Sequence, residues 1–94
     1  MHSTHRRSKL ETMIDILKIC EEPMKPTRIM YAANLSWKPL RRYLTWLVEK
    51  GLLRIRNEDL PDNRTKEIYE LTMKGRGVLR ILLDAKETVG MVEE

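Results

Sequence analysis

A mainly α-helical chain interrupted by one small β-hairpin is the fold class this sequence predicts, and three observations carry it. The stretch Ser36-Trp-Lys-Pro-Leu-Arg-Arg-Tyr-Leu-Thr-Trp-Leu-Val-Glu-Lys50 repeats its apolar residues at spacings of three and four, with a capping serine at one end and Gly51 just past the other. Only Asn34-Leu35-Ser36 separates it from a shorter helical segment, which is helix-turn-helix spacing. After Gly51 the apolar period switches from helical to alternating, over two short runs that flank a polar loop. A hairpin directly after the second helix of such a pair is a wing. The pattern therefore reads as a winged helix-turn-helix: a three-helix core, a wing and a C-terminal helix.

Residues 1–8 hold two histidines, two arginines and no apolar run, and are expected to form a disordered arm in which Arg6 and Arg7 could touch phosphates. His2 and His5 are too few for a metal site. Over 9–22, Leu10, Met13, Ile14, Leu17 and Cys20 follow helical spacing and Ile16 and Ile19 widen the stripe; Pro23 ends this helix by disfavouring helical geometry at Glu22. Met24-Lys25-Pro26 continues as an extended link. Thr27 is expected to cap a short helix over 27–33 with Ile29, Met30 and Ala33 inward, and Asn34 suits the left-handed turn that follows.

In the 36–50 helix, Leu40, Tyr43, Leu44, Leu47 and Val48 share one side, while Lys38, Arg42, Thr45 and Glu49 share the other with Arg41 at its margin. Pro39 fits the first turn, where its missing N–H has no intrahelical partner to lose. A rod of roughly 22 Å at about 1.5 Å per residue is slim enough for a DNA major groove about 12 Å wide. Trp37 projects near the apolar face and is expected in the core. Trp46 lies at the opposite edge, where packing on the last helix or on a partner is expected rather than base stacking.

Strands are predicted over 52–56 and 66–71, with Leu53 and Ile55 on one face and with Ile68 and Glu70 opposing Tyr69 and Leu71. The 57–65 loop between them carries Glu58, Asp59 and Asp62 against Arg64 alone, so it suits phosphates less well than the helix does. The last helix is predicted over 72–89 with Thr72 as cap. Two glycines near its start, Gly75 and Gly77, cost up to about 1 kcal/mol each relative to alanine and point to a close backbone approach at one of them. Its apolar surface, Val78, Leu79, Leu82, Leu83, Ala85 and Val89, is wider than one stripe and suggests a homodimer built on the same helix of a second copy; the simpler reading is a helix that only closes the monomer core. Residues 90–94 are expected to fray.

At 94 residues the chain makes one small domain, burying about 60 to 70% of its unfolded surface. It is 41% apolar and 34% charged, with no apolar run near the ~18 residues of a spanning helix, so a soluble cytoplasmic protein is expected. The single Cys20 cannot form an internal disulfide and lies on an apolar stripe, which favours a buried thiol. Net charge is +4, yet residues 25–56 carry eight basic groups against Glu49 alone, a local balance of +7. Such asymmetry points to a polyanion. No glycine-rich phosphate loop, spaced carboxylate pair or structured histidine is present, so neither an enzyme nor a cofactor is expected.

Pro26-Thr-Arg-Ile-Met-Tyr-Ala-Ala-Asn-Leu-Ser36, then Leu40, Tyr43-Leu44, Leu47, Lys50-Gly-Leu52 and Tyr69-Glu-Leu-Thr-Met-Lys-Gly75, closely resemble small archaeal winged-helix DNA-binding proteins that dimerise through a C-terminal antiparallel coiled coil. The likeness covers about residues 10 to 83. It implies that the helix opened by Ser36 enters the major groove, that the wing touches the backbone, and that the protein is a transcriptional regulator or DNA-packaging factor. One departure is the last helix, with roughly seventeen residues after Thr72, short beside the long coiled coil of the packaging members.

Double-stranded DNA is thus the expected partner. Lys38, Arg41, Arg42 and Thr45 would face the groove, and Thr27 and Ser36 would offer hydroxyls to phosphates. Arg28, Arg54, Arg64 and Lys66 would supply sequence-blind attraction. The alternative is an adaptor of the same fold that meets an acidic protein surface within a transcription assembly.

Overall fold

In the computed structural model, which describes residues 7–90, the elements run α1 (Lys9–Ile19), α2 (Pro26–Ala33), α3 (Trp37–Glu49), β1 (Leu53–Asp59), β2 (Thr65–Leu71) and α4 (Met73–Gly90). Ile16, Leu17, Ile29, Leu40, Leu44, Leu47 and Leu53 are fully buried where α1, α2, α3 and the base of the hairpin meet. Each such side chain contributes roughly 1.5–3 kcal/mol by leaving water. Cys20 is buried with them, and burial pushes its thiol from 9.0 up to about 12, so it stays protonated and inert near neutral pH.

The last two residues of the expected 1–8 arm, Arg7 and Ser8, are held in place. The Ser8 hydroxyl accepts from the Glu11 amide at 3.0 Å while the Glu11 carboxylate accepts from the Ser8 amide at 2.8 Å, closing a capping box at the start of α1. Arg7 donates to Asp15 at 2.9 Å and to the Ala33 carbonyl at 2.6 Å, tying α1 to the end of α2. His2, His5 and Arg6 lie outside the described residues.

Helix α1 ends at Ile19, three residues before the predicted stop. The carbonyl of Cys20 accepts from Leu71 at 2.9 Å, and a carbonyl aimed at β2 cannot serve an amide four residues on. The link then docks on the hairpin: Met24 exchanges hydrogen bonds with Tyr69 at 2.9 and 2.8 Å. Pro26, not Thr27, opens α2, because its ring pre-sets the helical φ at the first position; Lys25 holds the cap position and no side chain caps this end. Asn34 adopts φ 56°, the left-handed turn expected of it.

Ser36 occupies the cap position of α3, but its hydroxyl makes no cap hydrogen bond. The far end closes as a Schellman motif, with Gly51 at φ 76°, its amide on Val48 and the Leu52 amide on Leu47, each at 2.9 Å. Strand β1 runs from Leu53 to Asp59 and pairs antiparallel with β2 from Leu53↔Leu71 to Asp59↔Thr65, so both strands outrun the predicted 52–56 and 66–71. The extension is polar on both faces and showed no apolar alternation; it is held by cross-strand pairs such as Glu58↔Lys66. Only 60–64 remain as turn, with Asn63 at φ 67° and the Leu60 amide on the Arg64 carbonyl at 2.8 Å.

At α4 the Thr72 hydroxyl accepts from the Gly75 amide at 2.9 Å and donates to the Gly51 carbonyl at 2.6 Å, so one side chain caps α4 and ties it to the end of α3. Of the two glycines, Gly75 is the close approach: a Cβ there would lie 2.1 Å from the Leu52 carbonyl oxygen, whereas one at Gly77 would meet nothing within 4 Å. Leu79 is buried in the domain's own core, which removes it from the predicted dimer surface; Val78, Leu82 and Leu83 lean on that core, and the helix from Asp84 to Val89 is exposed. No helix among the described residues is long and apolar enough to cross a membrane.

Candidate nucleic-acid interface

Helix α3 turns Leu40, Leu44 and Leu47 into the core, and the periodicity that buries them fixes what faces out. Lys38, Arg41, Arg42 and Thr45 are all exposed. Among the described residues no carboxylate lies within ion-pair distance of Lys38, Arg41 or Arg42. Arg41 stands at the flank nearest β2, close enough to Tyr69 to oppose part of the rise that burial imposes on that phenol. On α2, Thr27 and Arg28 are exposed as well, and Lys25 at the cap position, counted in the basic segment but not expected as a contact, joins them. Its signal was its place immediately before Pro26, the residue that opens the helix.

The hairpin's cations are placed differently. Arg54 pairs with Glu70, Arg56 with Glu58 and Glu70, Arg64 with Asp62 at 2.6 Å, and Lys66 with Glu58 at 3.6 Å. Glu70 is only 9% exposed, and its carboxylate pairs with both arginines on the facing strand. Arg54, Arg64 and Lys66 were expected to be free for phosphates; each instead has a carboxylate partner, because the register sets Arg54 opposite Glu70 and Lys66 opposite Glu58, while Arg64 meets Asp62 inside the turn.

Trp37 sits elsewhere than expected, and Trp46 does not pack on the last helix. Trp37 is 44% exposed rather than core: as the first residue of α3 its Cα–Cβ bond tilts off the helix end, beyond Leu40, the first side chain the core covers. Trp46 is 43% exposed and lines a groove with Lys9 and Met13 of α1, not with α4, which packs chiefly on α1 and β2. Lys50 Nζ stands 5.6 Å from its ring centroid, a cation–π contact. Tyr31, 79% exposed on α2, was also missed; it falls off the Ile29, Met30 and Ala33 stripe, which was the available signal.

A family model described as winged helix-turn-helix matches residues 6–89. The chain belongs to that family. Among relatives of this winged helix-turn-helix chain, the Methanocaldococcus jannaschii protein MJ0287 is 33% identical over 84 residues, covering 88% of this chain and 77% of that one. MJ0290 of the same organism is 36% identical over 75 residues, which cover 79% of this chain but only 31% of MJ0290. The solved structure of Sso10a-2, a DNA-binding protein from Sulfolobus solfataricus, superposes with a TM-score of 0.69 at 31% identity, covering 93% of this chain and 90% of that one.

Proposed function

We propose that this protein binds double-stranded DNA, with α3 in the major groove and the 57–65 wing beside the backbone, as a transcriptional regulator or small chromatin-type protein. The carrying observation is the exposed ridge of Lys38, Arg41 and Arg42 with no carboxylate partner among the described residues. Arginine can pair in two-pronged fashion with guanine, and Thr45 can meet a polar base edge or a thymine methyl. The uncapped start of α3 fits the same use: the Ser36 hydroxyl and the Trp37 and Lys38 amides have no cap partner inside the helix and can bond a phosphate. Thr27, Arg28 and Lys25 would hold the flanking backbone from α2. Arg54, Arg64 and Lys66 would add less, since each must share its charge with an acid. The likeness to Sso10a-2 over nine-tenths of both chains supports the reading.

The exposed part of α4 suits a homodimer, with Val78, Leu82, Leu83, Ala85 and Val89 as its interface and Ile81, 66% exposed, added to them. Two copies of α3 would then meet major-groove faces about 34 Å apart, or a multiple of that. The test is fluorescence anisotropy with randomised duplex DNA across a salt series. The expected result is an affinity that falls by roughly 0.9 log unit per log unit of salt for each phosphate neutralised. Affinity insensitive to salt would remove the reading.

A further inference from the structure

Lys9 and Met13 of α1 and Pro39, Arg42, Tyr43 and Trp46 of α3 enclose a half-open groove of about 680 Å³. Small-molecule sites occupy roughly 300–1,000 Å³ and combine apolar and aromatic walls with a few polar groups that fix orientation. Here the walls are two aromatic rings, a methionine and a proline. The polar groups are two cations, with no acid among the six lining side chains. Neither Lys9 nor Arg42 has an ion-pair partner among the described residues, and Lys50 brings a third positive charge against the Trp46 ring. An indole left 43% exposed in such a recess has apolar area still to cover.

We propose that this groove binds a planar aromatic carboxylate: its ring against Trp46 and Tyr43, its carboxylate held by Arg42 and Lys9. Flatness follows from the paired aromatic walls, and negative charge from the unopposed cations. Arg42 belongs to both the groove and the outward ridge of α3, so a bound carboxylate would compete with DNA for the same guanidinium. That coupling rests on the DNA-binding reading; the site itself does not.

Calorimetry on the whole chain without DNA tests the site directly. 2-Naphthoate is the probe, 2-naphthylmethanol its uncharged counterpart and cyclohexanecarboxylate its non-aromatic one. The expected Kd for 2-naphthoate lies between roughly 10 µM and 1 mM. Both comparators and the variants R42Q and W46L should bind at least about tenfold more weakly, the loss of one charge-assisted pair or one aromatic contact, while W37L should be unchanged. All three substituted side chains are exposed, so the variants keep the core intact. Absence of heat at about 1 mM probe, equal binding of the alcohol, or a W46L variant that binds normally would each overturn the proposal. So would a W46L variant whose only change is its sedimentation, since the groove would then seat a second copy. Duplex anisotropy in the presence of the probe reads the coupling separately: affinity should drop in the wild type and not in R42Q. A wild type that takes up 2-naphthoate but no duplex would leave the groove standing and remove the DNA reading.

Discussion

Lys38, Arg41 and Arg42 on α3 stand in solvent with no carboxylate in ion-pair range among the described residues, whereas Arg54, Arg56, Arg64 and Lys66 on the hairpin each have one. The difference follows from geometry more than from the number of basic residues. Along a helix, charges that share the solvent face meet each other only at spacings of three and four, and Glu49, the one acid of α3, is seven residues from Arg42. Across a hairpin every residue has a neighbour on the other strand, and residues 53–71 hold five acids against four bases. A polyanion approaching α3 finds charge already available. One approaching the wing meets cations that must first loosen from their partners, beside carboxylates that repel it.

The largest effect should come from removing the unpaired charge. In the R41A/R42A double variant, duplex affinity at low salt should fall by about a hundredfold, near 2.7 kcal/mol, and the salt slope should shrink by about 1.8, two phosphates' worth. Both side chains are exposed, so the circular-dichroism melt should barely move. Affinity within about threefold of wild type would erase the contrast and favour an adaptor role.

Which of these features were legible beforehand is itself a matter of periodicity. The outward set on α3 could be read because burying Leu40, Leu44 and Leu47 determines the opposite face, and a close approach at Gly75 or Gly77 could be read, though not at which, because glycine inside a helix is otherwise unfavourable. The outer half of the hairpin could not. Residues 57–59 and Thr65 are polar, bury no side chain and leave no alternation to find; their order comes from cross-strand pairs between residues up to ten positions apart. The same holds for Arg7, whose bond to the Ala33 carbonyl spans 26 positions and has no local signature. The exposure of Trp37 escaped because helical angle alone places a side chain around the axis, not past its end.

A second effect would sharpen the contrast from the wing's side. Glu70 is nearly covered and bonded to Arg54 and Arg56, so E70Q should lower stability by about 1 kcal/mol, or roughly 4–8 °C in Tm for a domain this small. Both arginines keep water contact, which limits the loss. An unchanged Tm would mean that the network is held by nothing but solvent-screened attraction.

Smaller still, and opposite in sign, is the change expected of E58Q/D62N. Neutralising these two acids frees Lys66 and Arg64 and leaves Arg56 with Glu70 alone, while keeping an acceptor in each place. Duplex affinity should rise about fivefold and the salt slope should steepen by about 1 to 2, because cations formerly matched by carboxylates now displace counterions from DNA. Unchanged affinity and slope would place the wing away from the backbone altogether.

R64A should do least. Arg64 is already opposed by Asp62 at 2.6 Å, so its removal leaves the local balance one charge more negative without taking away a free cation. The loss of duplex affinity should stay within about twofold, under the 1.4 kcal/mol that a tenfold change represents. The informative comparison is the same substitution made in the D62N background. If paired charge is what silences the wing, R64A should cost several times more there than in the wild type, and the two substitutions should fail to add; simple additivity would show that Arg64 is silent because of where it points rather than what it is paired with.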